Sequence, residues 1–346
     1  MKIRFVNNYD MKAALKKVRE GIHPSHHLWG AYQMLQNGHN VQMPDFHQYP
    51  NFKHNRAGTW GDLNQQFQIV KNRDFDVLYS GSFDVIRLIA RLRNFGLFSN
   101  PIVTVIHHKV GSKRYWKKHL TRLSLKGTDQ IICLSNKVHD HLINDYCINK
   151  NQIHHLLWGP DLKFYGKPKP LGNYIVSAGK TGRDYDTLCT ALKGLDIPSI
   201  IFCGKSNPPK KVPSNVKVSA SQSNKNIISY KELLTWYQRA FLVAIPLQNM
   251  PILLGLTSLL DAMVVGRPAI VTKNPFLDID VEAEGCGIWV EPGDVEGWRR
   301  AIIRLWNNPN EANDMGARGR ELCENTFNIN NFSQELEYII QKTLLN

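Results

Sequence analysis

Apolar strand-like runs alternate with helical segments along almost the entire chain, and this alternation limits the possible folds more than any other feature. In the first half we predict strands at 2–8, 76–81, 101–108 and 130–135, and helices at 26–37, 84–94 and 112–126. The strand-like runs are nearly continuous in apolar residues, which is typical of strands covered on both faces. Strand–helix alternation of this kind predicts a parallel, doubly wound sheet. The fold class is therefore α/β.

The alternation is interrupted once and then starts again. Residues 161–173 contain two prolines and two glycines, a composition typical of a linker. A second series of strands and helices begins at 174, and a chain of 346 residues is too long for one typical core. We predict a Rossmann-like domain over 1–165, a second one over 172–330, and a C-terminal helix over 331–346 that packs back toward the first domain.

The positive charge of the chain lies entirely in its first half. The formal net charge is +14. Residues 1–170 carry 25 Lys and Arg against 11 Asp and Glu, whereas residues 171–346 carry 18 of each. This split indicates an anionic partner of one domain rather than a general effect on solubility.

Other global features predict a cytoplasmic protein. No apolar run approaches the roughly 18 residues needed to span a bilayer, and the N-terminus reaches polar residues too early for a secretory signal. The six cysteines are scattered and form no C-x-x-C pair, so we expect reduced thiols.

The segment 246–294 combines a loop, a helix start and a buried strand. Gly255 frees the backbone immediately before a helical run, and the helix ends at Gly266 before a strand at 269–272. A helix that begins after a glycine at the edge of a sheet presents unpaired N–H groups and a positive dipole end, which suits phosphate. Asp261, further along the helix, supplies a carboxylate suited to sugar hydroxyls. The same pattern also occurs in ordinary α/β crossovers.

The order of these pieces resembles the donor-binding region of GT-B glycosyltransferases, especially retaining family 4. The resemblance rests on Gly255, the acid-Ala-Met triplet at 261–263, Gly266, and the strand and turn at 290–294. In the family, two glutamates separated by seven residues stand here; this chain has Leu253 in the first position and Asp261 in the second. The resemblance implies two Rossmann-like domains facing a cleft, a nucleotide-sugar substrate and no metal or other cofactor. It assigns donor binding to Gly255, Leu256, Thr257 and Asp261, with Asp261 on the ribose.

The segment 174–187 resembles the first strand and loop of the family's donor domain. Gly179 allows a sharp turn after the strand, and Lys180 and Arg183 then place cations where the strand ends. A nucleoside diphosphate leaving group gains negative charge as the glycosidic bond breaks, and such cations stabilise it. We therefore expect Gly179, Lys180 and Arg183 to bind the donor, and the two cations to assist catalysis.

Histidines follow two predicted elements of the first half. The resemblance implies that His107, after the strand 101–106, reaches a sugar hydroxyl or the anomeric carbon; His108 is the weaker candidate. His26 and His27 lie near a helix start and are expected on the acceptor side. Three histidines within 23–27 also suggest metal, but no cysteine or carboxylate with metal-ligand spacing is nearby.

A basic segment at 109–127 carries seven cations and no acid. Its residues Lys113, Arg114, Trp116, Lys117 and Lys118 combine positive charge with an interfacial aromatic side chain, as in helices that bind anionic membranes. A half-buried helix with a solvated cationic face is the alternative. Nucleic acid is disfavoured because no zinc, helix-turn-helix or RNP-like pattern accompanies the charge.

The resemblance implies a hexosyltransferase that uses a nucleotide-sugar and retains the anomeric configuration. The charge split then predicts a lipid-linked or surface-polysaccharide acceptor. The first domain would hold the acceptor and rest peripherally on the cytoplasmic membrane face. Two alternatives stay open: a non-catalytic partner protein of the same fold, with which Leu253 is compatible, and a nucleotide-sugar epimerase.

Overall fold

The computed structural model describes residues 1–49, 58–111, 114–220 and 228–345. The chain divides into two compact units, one formed by 1–158 with 329–346 and the other by 159–328. The division falls before the proline-rich linker that we expected at 161–173, because a short helix at 162–165 already packs within the second unit. The C-terminal helix belongs to the first unit.

In the described part of the first unit, six parallel strands form one sheet in the order β2-β1-β3-β4-β5-β6. The strands are β1 (Lys2–Val6), β2 (Asn40–Gln42), β3 (Val77–Ser80), β4 (Ile102–Ile106), β5 (Gln130–Cys133) and β6 (Ile153–His155). The helices are α1 (Met11–Arg19), α2 (Ala31–Gln36), α3 (Leu63–Lys71), α4 (Arg87–Asn94), α5 (Tyr115–Lys126) and α6 (Asn136–Tyr146). Short 3₁₀ turns span Ser25–Leu28, Phe83–Val85 and Lys150–Gln152.

The helix predicted at 26–37 is interrupted. A 3₁₀ turn ends at Leu28, Trp29 and Gly30 both adopt left-handed backbone (φ 52° and 82°), and α2 starts only at Ala31. Left-handed backbone cannot continue a right-handed helix. The preceding stretch, which we did not assign, contains α1, whose N-cap Asp10 accepts a hydrogen bond from the Ala13 amide.

The described part of the second unit also contains a six-stranded parallel sheet, in the order β12-β11-β10-β7-β8-β9. Its strands are β7 (Ile175–Gly179), β8 (Ser199–Cys203), β9 (Val216–Ala220), β10 (Leu242–Ile245), β11 (Ala269–Thr272) and β12 (Gly287–Val290). Its helices are α7 (Leu162–Tyr165), α8 (Tyr185–Leu192), α9 (Tyr230–Gln238), α10 (Leu256–Val264), α11 (Val295–Asn307) and α12 (Pro309–Asn325). The final helix of the chain, α13 (Ile329–Leu345), lies in the first unit.

Each sheet reverses its direction of growth once. In the first sheet the chain adds β2 on one side of β1 and β3 on the other; in the second, β8 and β10 flank β7. Loops that leave such a strand pair diverge and open a crevice at the carboxyl ends of the strands, where ligands bind in doubly wound folds. The two positions are therefore β1–β3 in the first unit and β7–β10 in the second.

Candidate functional site

The loops that follow β7 and β10 are joined to each other. Arg183 and Leu247 form an antiparallel bridge, and the Gln248 amide donates to the Gly182 carbonyl at 2.9 Å. A Cβ on Gly179 would lie 2.3 Å from Arg183 Nε, so only glycine fits at the end of β7. The reversal point of the second sheet thus carries the loop that we assigned to the donor.

Arg183 is built into the floor of this site. Its side chain is 6% exposed. Its guanidinium donates to the carbonyls of Ala178 (3.3 Å) and Thr181 (3.2 Å) and to Ser258 Oγ (2.8 Å). Because Ser258 lies in the first turn of α10, Arg183 ties the β7 loop to that helix. The expected contact of Arg183 with substrate stays a prediction, but its structural role is plain.

The first turn of α10 and Lys180 form the accessible part of the site. Gly255 caps the helix with φ 83°, a conformation that favours glycine. Leu256 is half-buried, whereas Thr257 and Lys180 are exposed. Helix N-terminal amides together with a nearby cation attract phosphate.

The position of the family's first glutamate carries no charge. Leu253 is half-buried, and its neighbour Leu254 is 7% exposed. A Cβ on Gly182 would lie 2.5 Å from Leu254 Cδ1, so Leu254 packs directly against the β7 loop. Leu253 has no carboxylate with which to contact the transferred sugar.

Asp261 has a different environment from the one we expected. Its side chain is 4% exposed, and its Oδ1 accepts hydrogen bonds from the hydroxyls of Tyr165 (2.5 Å) and Tyr230 (2.6 Å). Burial raises the pKa of Asp261 to about 6, although both tyrosine hydrogen bonds favour the charged form. The ribose role of Asp261 stays a prediction. No sequence signal pointed to Tyr165, which lies in α7 at the start of the second unit.

In the first unit, His107 follows β4 and lies against an indole ring. Its ring stacks on Trp29 with centroids 5.9 Å apart and an interplanar angle of 25°. Burial lowers the pKa of His107 to about 4, so the imidazole is neutral at pH 7. Its Nδ1 is buried and has no hydrogen-bond partner among the described residues. A neutral imidazole with an unused nitrogen suits a sugar hydroxyl.

The second histidine of the doublet belongs to a charged chain that we did not foresee. His108 Nε2 lies 3.3 Å from Asp84 Oδ2, and Arg87 donates to Asp84 Oδ1 at 2.5 Å. Burial alone would raise the pKa of Asp84, but His108 and Arg87 hold it below its ordinary value. His108 is therefore paired with Asp84.

The two acceptor-side histidines lie deeper than predicted. His26 is 1% exposed and packs edge-on against Trp158 at 5.1 Å, whereas His27 is half-buried. Burial lowers the pKa of His27 to about 4, and that of His26 falls well below its usual range. His26 is buried against Trp158, and its expected contact with an acceptor stays a prediction.

The basic helix keeps its charged face in solvent. Arg114, Trp116 and Lys118 are exposed, as are Tyr115, Arg122 and Lys126, whereas Lys117 is half-buried. Leu120 and Leu123 are half-buried, and Thr121 and Ser124 pack against arginines of α4. Lys113 lies outside the described residues.

Two further features concern metals and membranes. Within the described ranges, no group of three histidine, cysteine, aspartate or glutamate side chains is arranged to hold a metal ion. In the same ranges, no helix combines the length and apolarity required to cross a bilayer.

Both halves of the chain match models of glycosyltransferase families. Residues 22–164 match Glycosyltransferase Family 4, and residues 174–322 match Glycosyl transferases group 1. The chain is a GT-B glycosyltransferase of the family 4 type. The second match covers every residue that we assigned to the donor, and the first covers His26, His27 and His107. No curated protein sequence matches this glycosyltransferase significantly.

Solved structures share the complete fold at low sequence identity. Sucrose-phosphate synthase from Thermosynechococcus elongatus is 16% identical with a TM-score of 0.71, each chain covered over 98% of its length. The Anabaena protein HepE in complex with UDP-glucose is 14% identical, with a TM-score of 0.66 and coverage of 99% and 100%. WaaG, a glycosyltransferase involved in lipopolysaccharide biosynthesis, is 14% identical, with a TM-score of 0.62 and coverage of 98% and 99%. These similarities confirm two Rossmann-like domains of the GT-B type.

Proposed function

We propose that this glycosyltransferase takes a sugar from a nucleotide diphosphate sugar and transfers it, with retention, to a glycan or glycolipid. The observation that carries the proposal is the cationic edge of the second sheet. There the Arg183–Ser258 hydrogen bond of 2.8 Å joins the buried Arg183 to the N-terminus of α10, and the exposed Lys180 lies in the same loop after β7. The UDP-glucose complex of HepE supports a nucleotide-sugar as the donor.

The same groups supply the electrostatic part of the reaction. Negative charge grows on the diphosphate as the bond to the sugar breaks, and prearranged positive groups lower the barrier because they need no reorganisation. Arg183 fixes the loop and helix in place, while Lys180 and the α10 amides meet the phosphates. We include no resident metal in the proposal, since the chain's own cations provide the countercharge. His107 contributes a neutral nitrogen for a sugar hydroxyl.

We further propose that the acceptor is lipid-linked and that the first unit binds the membrane surface peripherally, on its cytoplasmic face. That unit carries 23 Lys and Arg against 12 Asp and Glu. Its helix α5 exposes Tyr115 (86%) and Trp116 (52%) beside several cations. Aromatic rings enter the headgroup layer while cations meet anionic lipid, each cation near the surface adding about 1 kcal/mol.

A panel of UDP-, GDP- and ADP-sugars tests the donor half of the proposal. The protein should slowly hydrolyse one donor class to free nucleotide diphosphate and sugar, and this hydrolysis should persist with a chelator present. Binding without hydrolysis or transfer would favour the non-catalytic partner, and conversion of the bound sugar to an epimer would favour the epimerase.

A further inference from the structure

The reversal point of the first sheet contains an aromatic cluster, and only its His107 has a part in the proposed donor chemistry. We define it as Trp29, His107, Trp158 and His26. The Trp29 and Trp158 rings lie 5.4 Å apart at 30°, and Trp29 stacks on His107 at 5.9 Å. His26 meets Trp158 edge-on at 5.1 Å. The cluster lies where β1, β3 and β4 end, the edge at which doubly wound sheets bind ligands.

Three buried polar atoms in and beside the cluster have no hydrogen-bond partner within the described residues. They are Asn7 Nδ2, Trp158 Nε1 and His107 Nδ1. Asn7 follows β1 and is 1% exposed, and Trp158 is 7% exposed. A buried donor without a partner costs about 1–3 kcal/mol. Three such atoms in one region indicate that a ligand with hydrogen-bond acceptors completes it.

The backbone holds this region in a strained but fixed arrangement. Trp29 has φ 52°, which is uncommon for a residue with a bulky side chain. The Tyr79 hydroxyl donates to the Trp29 carbonyl at 2.7 Å, and Trp29 Nε1 donates to the Tyr9 hydroxyl at 3.1 Å. A Cβ on Gly81 would lie 2.7 Å from Asn7 Nδ2 and 3.2 Å from Trp29 Cδ1. The glycine therefore leaves room for the side chains of Asn7 and Trp29 to pack beside it. Strain of this kind is concentrated at functional sites.

The cluster is electrically neutral. Burial lowers the pKa of His26 and His107 far enough that both rings are uncharged at pH 7. Arg87, which lies in the same unit, is already paired with Asp84. Phosphate and carboxylate are recognised by bidentate arginine or by lysine, and the cluster contains neither. Its aromatic surface and amide and indole donors match a neutral polyol with apolar C–H faces.

We propose that this aromatic cluster recognises the acceptor through a neutral pyranose ring, whose C–H face packs on the accessible part of Trp29 and whose oxygens accept from Asn7 Nδ2 and Trp158 Nε1. The proposal rests on the function proposed above and specifies its acceptor. The acceptor then carries a sugar residue at the site of transfer. The proposed contacts between the basic helix α5 and an anionic membrane surface are separate from this sugar site.

Saturation-transfer NMR on the full-length protein with UDP present tests the proposal, using maltose, cellobiose, lactose and chitobiose as probes. At least one disaccharide should bind, and Trp158→Phe, which keeps a ring but removes the donor, should weaken it at least fivefold. Asn7→Ala should have a similar effect. Trp60→Phe, an exposed indole elsewhere in the same unit, is the matched control and should leave binding unchanged.

Calorimetric titration with nucleotide diphosphates separates this proposal from the donor assignment. Trp158→Phe and Asn7→Ala should bind nucleotide like wild type. If nucleotide binds but no disaccharide does, or if inorganic pyrophosphate displaces the disaccharide, the neutral-sugar proposal is overturned while the donor assignment stands. If the disaccharide binds equally to Trp158→Phe and wild type, water satisfies these donors and the site is not the one proposed. If the wild-type protein itself does not bind nucleotide, the proposed function is overturned instead.

Discussion

At the scale of single residues, Lys180 and Arg183 are close in sequence but differ in burial: Lys180 is exposed, whereas Arg183 is buried. Lys180→Ala should weaken nucleotide diphosphate binding roughly tenfold, since a charged contact contributes about 1.5–3 kcal/mol, and should leave unfolding unchanged. Arg183→Ala should weaken binding and also lower stability, because it removes the donor to Ser258 Oγ and to the carbonyls of Ala178 and Thr181. Calorimetry and thermal unfolding measure both effects.

Lys193→Ala is the matched control for these variants, because Lys193 is exposed just after the C-terminus of α8 and far along that helix from the loop. Nucleoside without phosphate should bind all four proteins alike. Equal diphosphate affinity of Lys180→Ala and wild type would contradict the assignment of Lys180.

Asp261 gives a prediction about pH. Its folded pKa of about 6 lies above the ordinary value of 3.8, so its contribution to stability is complete below pH 3.8 and is lost as pH rises through 6. Asp261→Asn avoids this loss and keeps an acceptor for Tyr165 and Tyr230. The variant should match wild type near pH 4 and gain up to about 3 kcal/mol over it by pH 7.

Denaturation at several pH values measures the difference. Asp280→Asn is the control with the opposite sign, because hydrogen bonds from Ala283 N–H and the Trp289 ring hold the pKa of that exposed carboxyl below its ordinary value. A constant gap between Asp261→Asn and wild type from pH 4 to 7 would show that the Asp261 carboxyl is not perturbed. Parallel donor titrations of Asp261→Asn also test the ribose prediction: lower affinity would show that ribose reaches this carboxyl.

At the scale of elements, α5 makes a prediction about membranes. Neutralising Arg114, Lys118, Arg122 and Lys126 together should release the protein from anionic vesicles, because these exposed cations face solvent and their attraction to lipid is long-ranged only at low salt. Co-sedimentation at low and high salt measures binding. Folding should be unaffected, since the buried residues of the helix are Thr121, Ser124 and Leu125, which the substitutions leave unchanged.

Helix α1 offers a control with the same change in charge. Its Lys12, Lys16, Lys17 and Arg19 are also exposed but lack an aromatic neighbour such as Trp116 on the same helix. Neutralising them should reduce binding less. Equal losses would show that net charge alone governs association, and a wild type that stays in the supernatant at low salt would end the membrane proposal.

At the scale of the whole molecule, the first unit is built from both ends of the chain, and we expect its folding to require both. Phe332, Leu336 and Ile340 of α13 are at most 1% exposed, and each buried side chain of this size contributes about 1.5–3 kcal/mol. Glu337 accepts from Asn37 at 2.8 Å and lies 2.7 Å from His39 Nε2. Truncation after Asn328 should therefore unfold the first unit and leave 159–328 folded.

Hydrogen exchange followed by mass spectrometry measures this prediction segment by segment. Protection should disappear in β1 and α2 but persist in β7 and β10. Restoring 329–346 as a separate peptide should recover it in part. Protection that is unchanged throughout would show that α13 is dispensable to the first unit.

The sequence by itself determined the α/β class, the two series of strands and helices, the glycosyltransferase family and the loops that carry Lys180, Gly255 and His107. These follow from local patterns, because apolar periodicity and glycine positions act within a few residues. Only the tertiary structure decided that Asp261 is covered by Tyr165 and Tyr230, that Arg183 is buried beneath its loop, and that Trp29, Trp158 and Asn7 meet at one sheet edge. The burial and the hydrogen-bond partners of a side chain depend on residues that are distant in sequence, and no local pattern encodes which of those residues pack against it.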